Sequence, residues 1–167
     1  MLNVQRNQPV MMVEDNDDDY EATLRALKSS GFSMLNTIVR FDNGDSALKY
    51  LHREEEYADV KSSPRPGIIL LDLNMPGISG REVLVEIKSS ELLRDIPVII
   101  LTTSDNEKDV DECYNAGANT YIKKPVDIDN FFAAIKRLSE YWFELALLPK
   151  EKYNPDQSAE KSKYFKF

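Results

Sequence analysis

Polar side chains that could carry phosphoryl chemistry follow four separate apolar runs of the chain. Glu14 and Asp15 follow the first run, Asp72 closes the third, Thr102 follows the fourth, and Lys124 follows the fifth. Carboxylates held together raise one another's pKa unless a cation joins them, and hard oxygen ligands in a hydrated site suit Mg²⁺. A metal ion, an ammonium and a hydroxyl around one carboxylate form a place for a phosphoryl group. Asp72 could then attack phosphorus to give an aspartyl phosphate.

Each of these features has an ordinary structural explanation when it is taken alone. An acidic pair after a strand is commonly a helix cap, which accounts for Asp15 and Asp17. The acidic run Asp17, Asp18 and Asp19 lies where a helix would begin, and acids there interact favourably with the helix dipole. A Lys-Pro pair is commonly a loop, and a threonine at a strand end is commonly satisfied by its neighbours. All four features occur in order, each at the end of its own strand. That combination favours one joint site over four local accidents.

The elements that would position these residues are five strand-then-helix units. Strands are predicted at residues 9–13, 37–41, 67–73, 97–101 and 120–123. Apolar residues at helical spacing follow each strand, and Asp127 or Asp129 can cap a last helix that runs through Trp142. Such repeats predict an α/β, doubly wound fold with a five-stranded parallel sheet, and the flavodoxin-like (βα)5 order 2-1-3-4-5 is a common solution. Ligands of such sheets bind outside the carboxyl ends of the strands.

Composition excludes several other classes of function. The chain has 167 residues and a formal net charge of −8, which argues against binding to nucleic acid or to a membrane surface. Cys113 is the only cysteine and His52 the only histidine, so an internal disulfide, a thiol–zinc cluster and a multi-histidine metal site are excluded. No signal peptide and no run of about 20 apolar residues is present, which predicts a cytoplasmic protein.

With these residues in place, the chain resembles the receiver domain of two-component response regulators. The resemblance covers residues 9–148 and rests on five motifs: VEDN (13–16), LDLNMPG (71–77), LTTS (101–104), GA (117–118) and YIKKP (121–125). It implies that Asp72 accepts a phosphoryl group from a sensor histidine kinase. It also implies a signalling protein rather than an enzyme, limited to self-phosphorylation and slow autodephosphorylation.

The resemblance also assigns the remaining roles at the site. Asp15, Asp72 and the backbone carbonyl of Asn74 would hold Mg²⁺, with Glu14 acting through water. Thr102 and Lys124 would contact the phosphoryl oxygens, and the Lys124–Pro125 bond would be cis.

A switch is implied as well. Thr102 would move toward the phosphoryl group, Tyr121 would turn inward behind it, and the surface of the fourth helix, fifth strand and fifth helix would repack. The alternative for Tyr121 is an edge-strand aromatic residue without a switching role.

The ends of the chain give two further expectations. Residues 1–8 form an N-terminal tail and residues 149–167 a polar C-terminal tail, which predicts a receiver without an output domain. In the last helix Trp142 and Leu145 continue the inward stripe. Other apolar residues face elsewhere and predict the contact surface of a twofold homodimer: Tyr141, Phe143, Leu147 and Leu148. The alternative is that Tyr164, Phe165 and Phe167 fold back over the helix.

A narrower resemblance concerns the type of histidine kinase that would be the partner. The long polar stretch at residues 52–66 and the aromatic, leucine-rich final helix resemble single-domain response regulators that partner phytochrome-type histidine kinases. His52 is expected on the solvated face of that stretch.

Two other classes of function remain open. A pseudo-receiver scaffold would lack one of the acids, the threonine or the lysine. An aspartate-nucleophile phosphatase would carry a second aspartate at position 74 and a cap domain; position 74 is an asparagine.

Overall fold

Parallel strands and helices alternate along the chain in this computed structural model, which describes residues 8–31 and 37–150. The strands are β1 (Val10–Val13), β2 (Ile38–Phe41), β3 (Ile68–Leu71), β4 (Val98–Thr102) and β5 (Thr120–Lys123). The helices are α1 (Asp17–Ser29), α2 (Gly44–His52), α3 (Gly80–Ser89), α4 (Glu107–Asn115) and α5 (Ile128–Ser139). The sheet order is β2-β1-β3-β4-β5 with parallel pairing throughout, which confirms the predicted flavodoxin-like fold.

The strands are apolar at successive positions because both faces of the sheet are covered. Val10 and Met12 pack with α1 and α5, whereas Met11 and Val13 pack with α2, α3 and α4. The same alternation holds along β3 and β4, so the two cores lie on opposite sides of one sheet. Among the described residues, no helix has the length and apolarity needed to cross a bilayer.

Helix starts follow from local capping. The side chain of Asn16 accepts the backbone N–H of Asp19 at 2.9 Å, so α1 begins where the acidic run predicted it. Asp127 rather than Asp129 caps α5. Ser79 and Glu82 form a capping box at the start of α3, directly after the turn that follows β3.

The end of the last helix differs from the prediction. Regular α-helix stops at Ser139, and Glu140–Leu145 form a π-helical turn in which the Ala146 N–H donates to the Tyr141 carbonyl at 2.7 Å. The wider turn rotates the following side chains around the axis. Trp142 still packs on the α1/α5 core, but Leu145 is 74% exposed, so the prediction that it continues the inward stripe is wrong.

Part of the polar stretch at residues 52–66 packs against the domain, although most residues from 55 to 64 are exposed. Tyr57 lies in a 3-10 turn (Glu55–Tyr57) and packs its ring against Phe41 and Tyr50. The Tyr50 hydroxyl donates to the Pro64 carbonyl at 2.7 Å. His52 is half-buried with its Nε2 3.4 Å from Glu86 Oε1, so its predicted place on a solvated face is wrong.

Candidate functional site

The sheet register brings the predicted residues to one edge. Val13 pairs with Leu71, so the next residues, Glu14 and Asp72, are neighbours. Thr102 ends β4 and pairs with Lys123, which places Lys124 directly beyond it. All of these positions lie at the carboxyl ends of their strands, where the fold predicts a ligand site.

Three carboxylates converge at this edge. Oxygens of Glu14, Asp15 and Asp72 lie within 4.8 Å of one another. Glu14 and Asp72 are buried, and Asp15 is the most accessible of the three. Burial raises the pKa of Glu14 to about 7, and the charge of Asp72 adds to this increase against the opposing influence of Lys124. An oxygen-only cluster with excess negative charge fits a hard divalent cation.

Lys124 is the cation that the fold itself supplies to this cluster. Its Nζ lies 2.6 Å from Glu14 Oε2, 3.1 Å from Asp19 Oδ2 and 3.7 Å from Asp72 Oδ2. Burial alone would lower the pKa of Lys124, but its hydrogen bond to Glu14 and the nearby negative charges outweigh burial and raise it. The ammonium therefore stays charged inside the site.

Asp19 is a member of the site that the sequence did not single out. Its position in the first turn of α1 suggested only a favourable interaction with the helix dipole. In the fold that turn faces the end of β5, so the Asp19 carboxylate also reaches Lys124. The spacing Glu14-x4-Asp19 across a helix start was the available signal.

Asn74 and Thr102 lie beside the Asp72 carboxylate. The Asn74 backbone N–H donates to Asp72 Oδ1 at 3.4 Å, and its side-chain amide donates to Thr102 Oγ1, also at 3.4 Å. Thr102 is fully buried, whereas Asn74 is exposed. Both hydrogen bonds are long and therefore weak. The Asn74 and Thr102 side chains can separate when another group enters between them.

The start of α3 fixes the backbone that carries Asp72. Gly80 donates its N–H to the Leu73 carbonyl at 3.1 Å. A Cβ at Gly80 would lie only 1.9 Å from the Asp72 carbonyl oxygen and 2.7 Å from the Leu73 Cα. Glycine is therefore required here by close approach of two backbones.

Tyr121 is partly buried and is joined to the loop after β4. Its ring packs on the core beneath α4, and its hydroxyl donates to the Ser104 carbonyl at 2.9 Å. The Ser104 hydroxyl donates to Asp109 Oδ2 at 2.6 Å, and Asp109 also forms an ion pair with Arg81 of α3. A polar chain thus links β5 to the loop, α4 and α3.

The Lys124–Pro125 bond differs from its expectation. No peptide bond in the described ranges is cis, so the predicted cis bond is wrong here. The trans form is the intrinsically preferred isomer before proline, by about 0.5–1 kcal/mol. The Lys124 N–H donates to the Thr102 carbonyl at 2.6 Å, which continues the β4–β5 ladder to the site.

The predicted dimer residues are only partly exposed. Tyr141 and Leu147 are exposed (55% and 77%), whereas Phe143 packs on the α1/α5 core and Leu148 is half-buried, close to Gly67. The alternative cover by Tyr164, Phe165 and Phe167 lies outside the described residues.

Comparison with known proteins identifies relatives over most of the chain. The family model described as response regulator receiver domain matches residues 10–136. Response regulator Rcp1 from Synechocystis sp. is 39% identical over 140 residues, which are 84% of this chain and 92% of that protein.

Two solved structures are similar in fold and sequence. The phosphorylated cyanobacterial phytochrome response regulator RcpA has a TM-score of 0.79 at 39% identity, and the Mn²⁺-bound form of Rcp1 has a TM-score of 0.78 at 36% identity. Each comparison covers 86% of this chain and 99% of the other.

Proposed function

The chain belongs to the response regulator receiver domain family, and from that membership we propose that Asp72 accepts a phosphoryl group from a sensor histidine kinase. The observation that carries this assignment is the buried Asp72 carboxylate, 3.7 Å from the Lys124 ammonium and beside Glu14 and Asp15. In this setting the Lys124 ammonium and a cation held by the acids can offset the negative charge that a phosphoryl group brings to Asp72.

The proposed reaction uses side chains of this chain in distinct roles. An Asp72 oxygen attacks phosphorus, the bond from phosphorus to the donor imidazole nitrogen breaks, and that nitrogen takes up a proton. Lys124 offsets negative charge on the phosphoryl oxygens. To reach them, its ammonium must leave the ion pair with Glu14. The Thr102 hydroxyl, now an acceptor from Asn74, would donate to one of those oxygens.

We assign Mg²⁺ as the cation of this site. Asp15, Asp72 and the Asn74 backbone carbonyl would hold it, with Glu14 acting through water. When bound, Mg²⁺ supplies electrostatic stabilisation of the charge that develops on the transferred group. The Mn²⁺-bound form of Rcp1 supports a divalent cation in a similar protein.

The switch is proposed to run from Thr102 to Tyr121. A phosphoryl group on Asp72 would draw the Thr102 hydroxyl away from Asn74. Ser104 lies two residues after Thr102, and its carbonyl accepts the Tyr121 hydroxyl. A shift of this loop would therefore alter the packing of Tyr121 and the α4–β5–α5 surface.

Partner and location belong to the same proposal. A phytochrome-type histidine kinase is supported by the similarity to the phytochrome response regulator RcpA. A cytoplasmic location is supported by the single, free and buried Cys113, because secreted proteins of modest size commonly rely on disulfides.

The direct test is intact-mass measurement after incubation with a small acyl-phosphate donor, with and without Mg²⁺. We expect a Mg²⁺-dependent gain of one phosphoryl group that Asp72→Asn abolishes. Asp45→Asn, which removes an exposed acid from the first turn of α2, is the matched control and should still be modified. A folded wild-type protein that stays unmodified by the acyl phosphate and by candidate kinases would support the scaffold alternative.

We also propose that the exposed apolar residues after α5 contact a second copy. Tyr141, Leu145 and Leu147 are all more than half exposed, although apolar, and together they support an interface. Sedimentation analysis should show a dimer that Leu147→Glu dissociates. Val85→Glu, at a 52% exposed position on α3, should leave it intact. A monomeric wild-type protein would contradict this part.

A further inference from the structure

We propose that Arg40, at the penultimate position of β2, is a positioning residue for the divalent cation site. It would act by holding the backbone of the β1–α1 turn. The inference rests on the proposed cation site at Glu14, Asp15 and Asp72. Arg40 contacts Glu14 only at its backbone carbonyl and would not itself bind the cation.

The Arg40 guanidinium is fastened to the turn by several contacts. Its Nε and Nη2 both donate to the Glu14 carbonyl oxygen, at 3.2 and 3.1 Å. Nη2 also donates to Asp17 Oδ1 at 2.7 Å, and the guanidinium carbon lies 4.4 Å from the centre of the Tyr20 ring. One side chain thus bridges β2, the acidic turn and the first turn of α1.

The contact with the carbonyl matters most for the site. Asp17 is 86% exposed, so its ion pair with Arg40 contributes little in water. The Glu14 carbonyl belongs to the peptide group that joins the acidic pair, and a charge-assisted double hydrogen bond fixes the plane of that peptide. The Glu14 N–H is already held by the Phe41 carbonyl at 2.9 Å, so β2 holds the turn on both sides of Glu14.

Electrostatics and positioning predict opposite signs for the loss of Arg40. A guanidinium beside a cation site repels the cation, so removal of its charge alone would strengthen metal binding. Loss of the double hydrogen bond releases the Glu14–Asp15 peptide, and the carboxylates must then be ordered when the metal binds, which weakens binding. The direction of the change therefore distinguishes the two roles.

The experiment is calorimetric titration of the full-length protein with Mg²⁺. Arg40→Met removes charge and donors, whereas Arg40→Gln removes the charge but keeps an amide that can donate to the carbonyl. We expect Arg40→Met to raise the Mg²⁺ Kd about tenfold, which corresponds to about 1.4 kcal/mol, the size of a lost hydrogen bond. Arg40→Gln keeps one donor and should raise the Kd only about two- to threefold.

Arg65→Met is the matched control. Arg65 precedes β3 at the other end of the sheet, donates to the Leu92 carbonyl at 2.9 Å and pairs with Asp95. Its loss should lower stability but leave the Mg²⁺ Kd within twofold of wild type. A purely structural effect of Arg40 would likewise leave the Kd unchanged in folded protein.

The possible results separate this inference from the proposed function. Unchanged or tighter Mg²⁺ binding in both Arg40 variants, with normal binding in wild type, would overturn the role of Arg40 alone. Absence of Mg²⁺ binding in folded wild-type protein would overturn the cation site itself and this inference with it. If Arg40→Met does not fold, the Arg40→Gln Kd decides, because a value at or below wild type contradicts positioning.

Discussion

Replacement of Lys124 by methionine should destabilise the metal-free protein, and Mg²⁺ should restore part of the loss. Among the described residues, Lys124 Nζ is the one side-chain cation that pairs with the carboxylates of Glu14 and Asp72, and these acids are only 7% and 9% exposed. Removing one partner of a buried ion pair costs about 3–5 kcal/mol. The raised pKa of Glu14 allows that acid to take up a proton near neutral pH. Protonation removes the unpaired buried charge, so we expect a cost at the lower end of this range.

The expected loss is therefore about 3 kcal/mol in the free energy of unfolding. With a urea slope of about 2 kcal/mol per M, the unfolding midpoint should fall by about 1.5 M. The missing positive charge should also tighten Mg²⁺ binding about tenfold, which would recover about 1.4 kcal/mol at saturating metal. The difference between wild type and Lys124→Met should thus shrink by about half when Mg²⁺ is present.

Urea unfolding followed by circular dichroism, with and without Mg²⁺, measures both quantities. Lys88→Met is the matched control, because Lys88 Nζ is also satisfied internally, by the carbonyls of Arg94 and Ile96 and by Asn119 Oδ1. That variant should lose about 1–3 kcal/mol from unpaired acceptors, equally with and without metal. An equal loss for Lys124→Met in both conditions would refute the charge-balance argument, and so would unchanged metal-free stability.

Three other predictions follow from the site. Gly80→Ala should lower the free energy of unfolding by more than about 3 kcal/mol, because the new Cβ or the Asp72 carbonyl must move by about 1.1 Å to reach a 3.0 Å contact. Gly77→Ala is the control: it meets only the strain of a positive φ and should lose about 1–2 kcal/mol. Similar urea midpoints for the two variants would contradict this prediction. Tyr121→Phe should lose about 1 kcal/mol through the hydrogen bond to the Ser104 carbonyl, and an unchanged midpoint would mean that this bond contributes nothing. Asn74→Lys should change the dephosphorylation rate severalfold in an intact-mass time course, because Asn74 borders both Asp72 and Thr102; an unchanged rate would remove Asn74 from control of the phosphoryl lifetime.

The local elements of the fold could be predicted because short-range rules decide them. Continuous apolar runs predict strands covered on both faces, and Asn16, Ser79 and Asp127 start helices through hydrogen bonds to neighbours a few residues away. The last helix was predicted less well, since helical periodicity assumes a regular turn. The π-helical turn at Glu140–Leu145 breaks that assumption and exposes Leu145.

The site was predictable to the extent that strand ends share one edge. Glu14, Asp72, Thr102 and Lys124 could be grouped because each lies at the end of a parallel strand or directly after it. Asp19 and Arg40 were not grouped with them, because their contacts depend on which helix turn and which neighbouring strand face the acidic cluster. Sequence reasoning treated Asp19 as a favourable helix-dipole charge and did not consider Arg40.

The amino-acid sequence by itself determined the order of elements, the sheet topology and the identity of the acids, threonine and lysine at the carboxyl edge. These depend on periodicity, capping and handedness, which act over a few residues or apply to every parallel sheet. Tertiary structure alone decided the pairing of Lys124 with Glu14, the requirement for Gly80 beneath Asp72, and the hold of Arg40 on the Glu14 carbonyl. Those contacts join residues far apart in the chain, and distances of a few ångströms between such residues are set only when the packed helices and sheet bring them together.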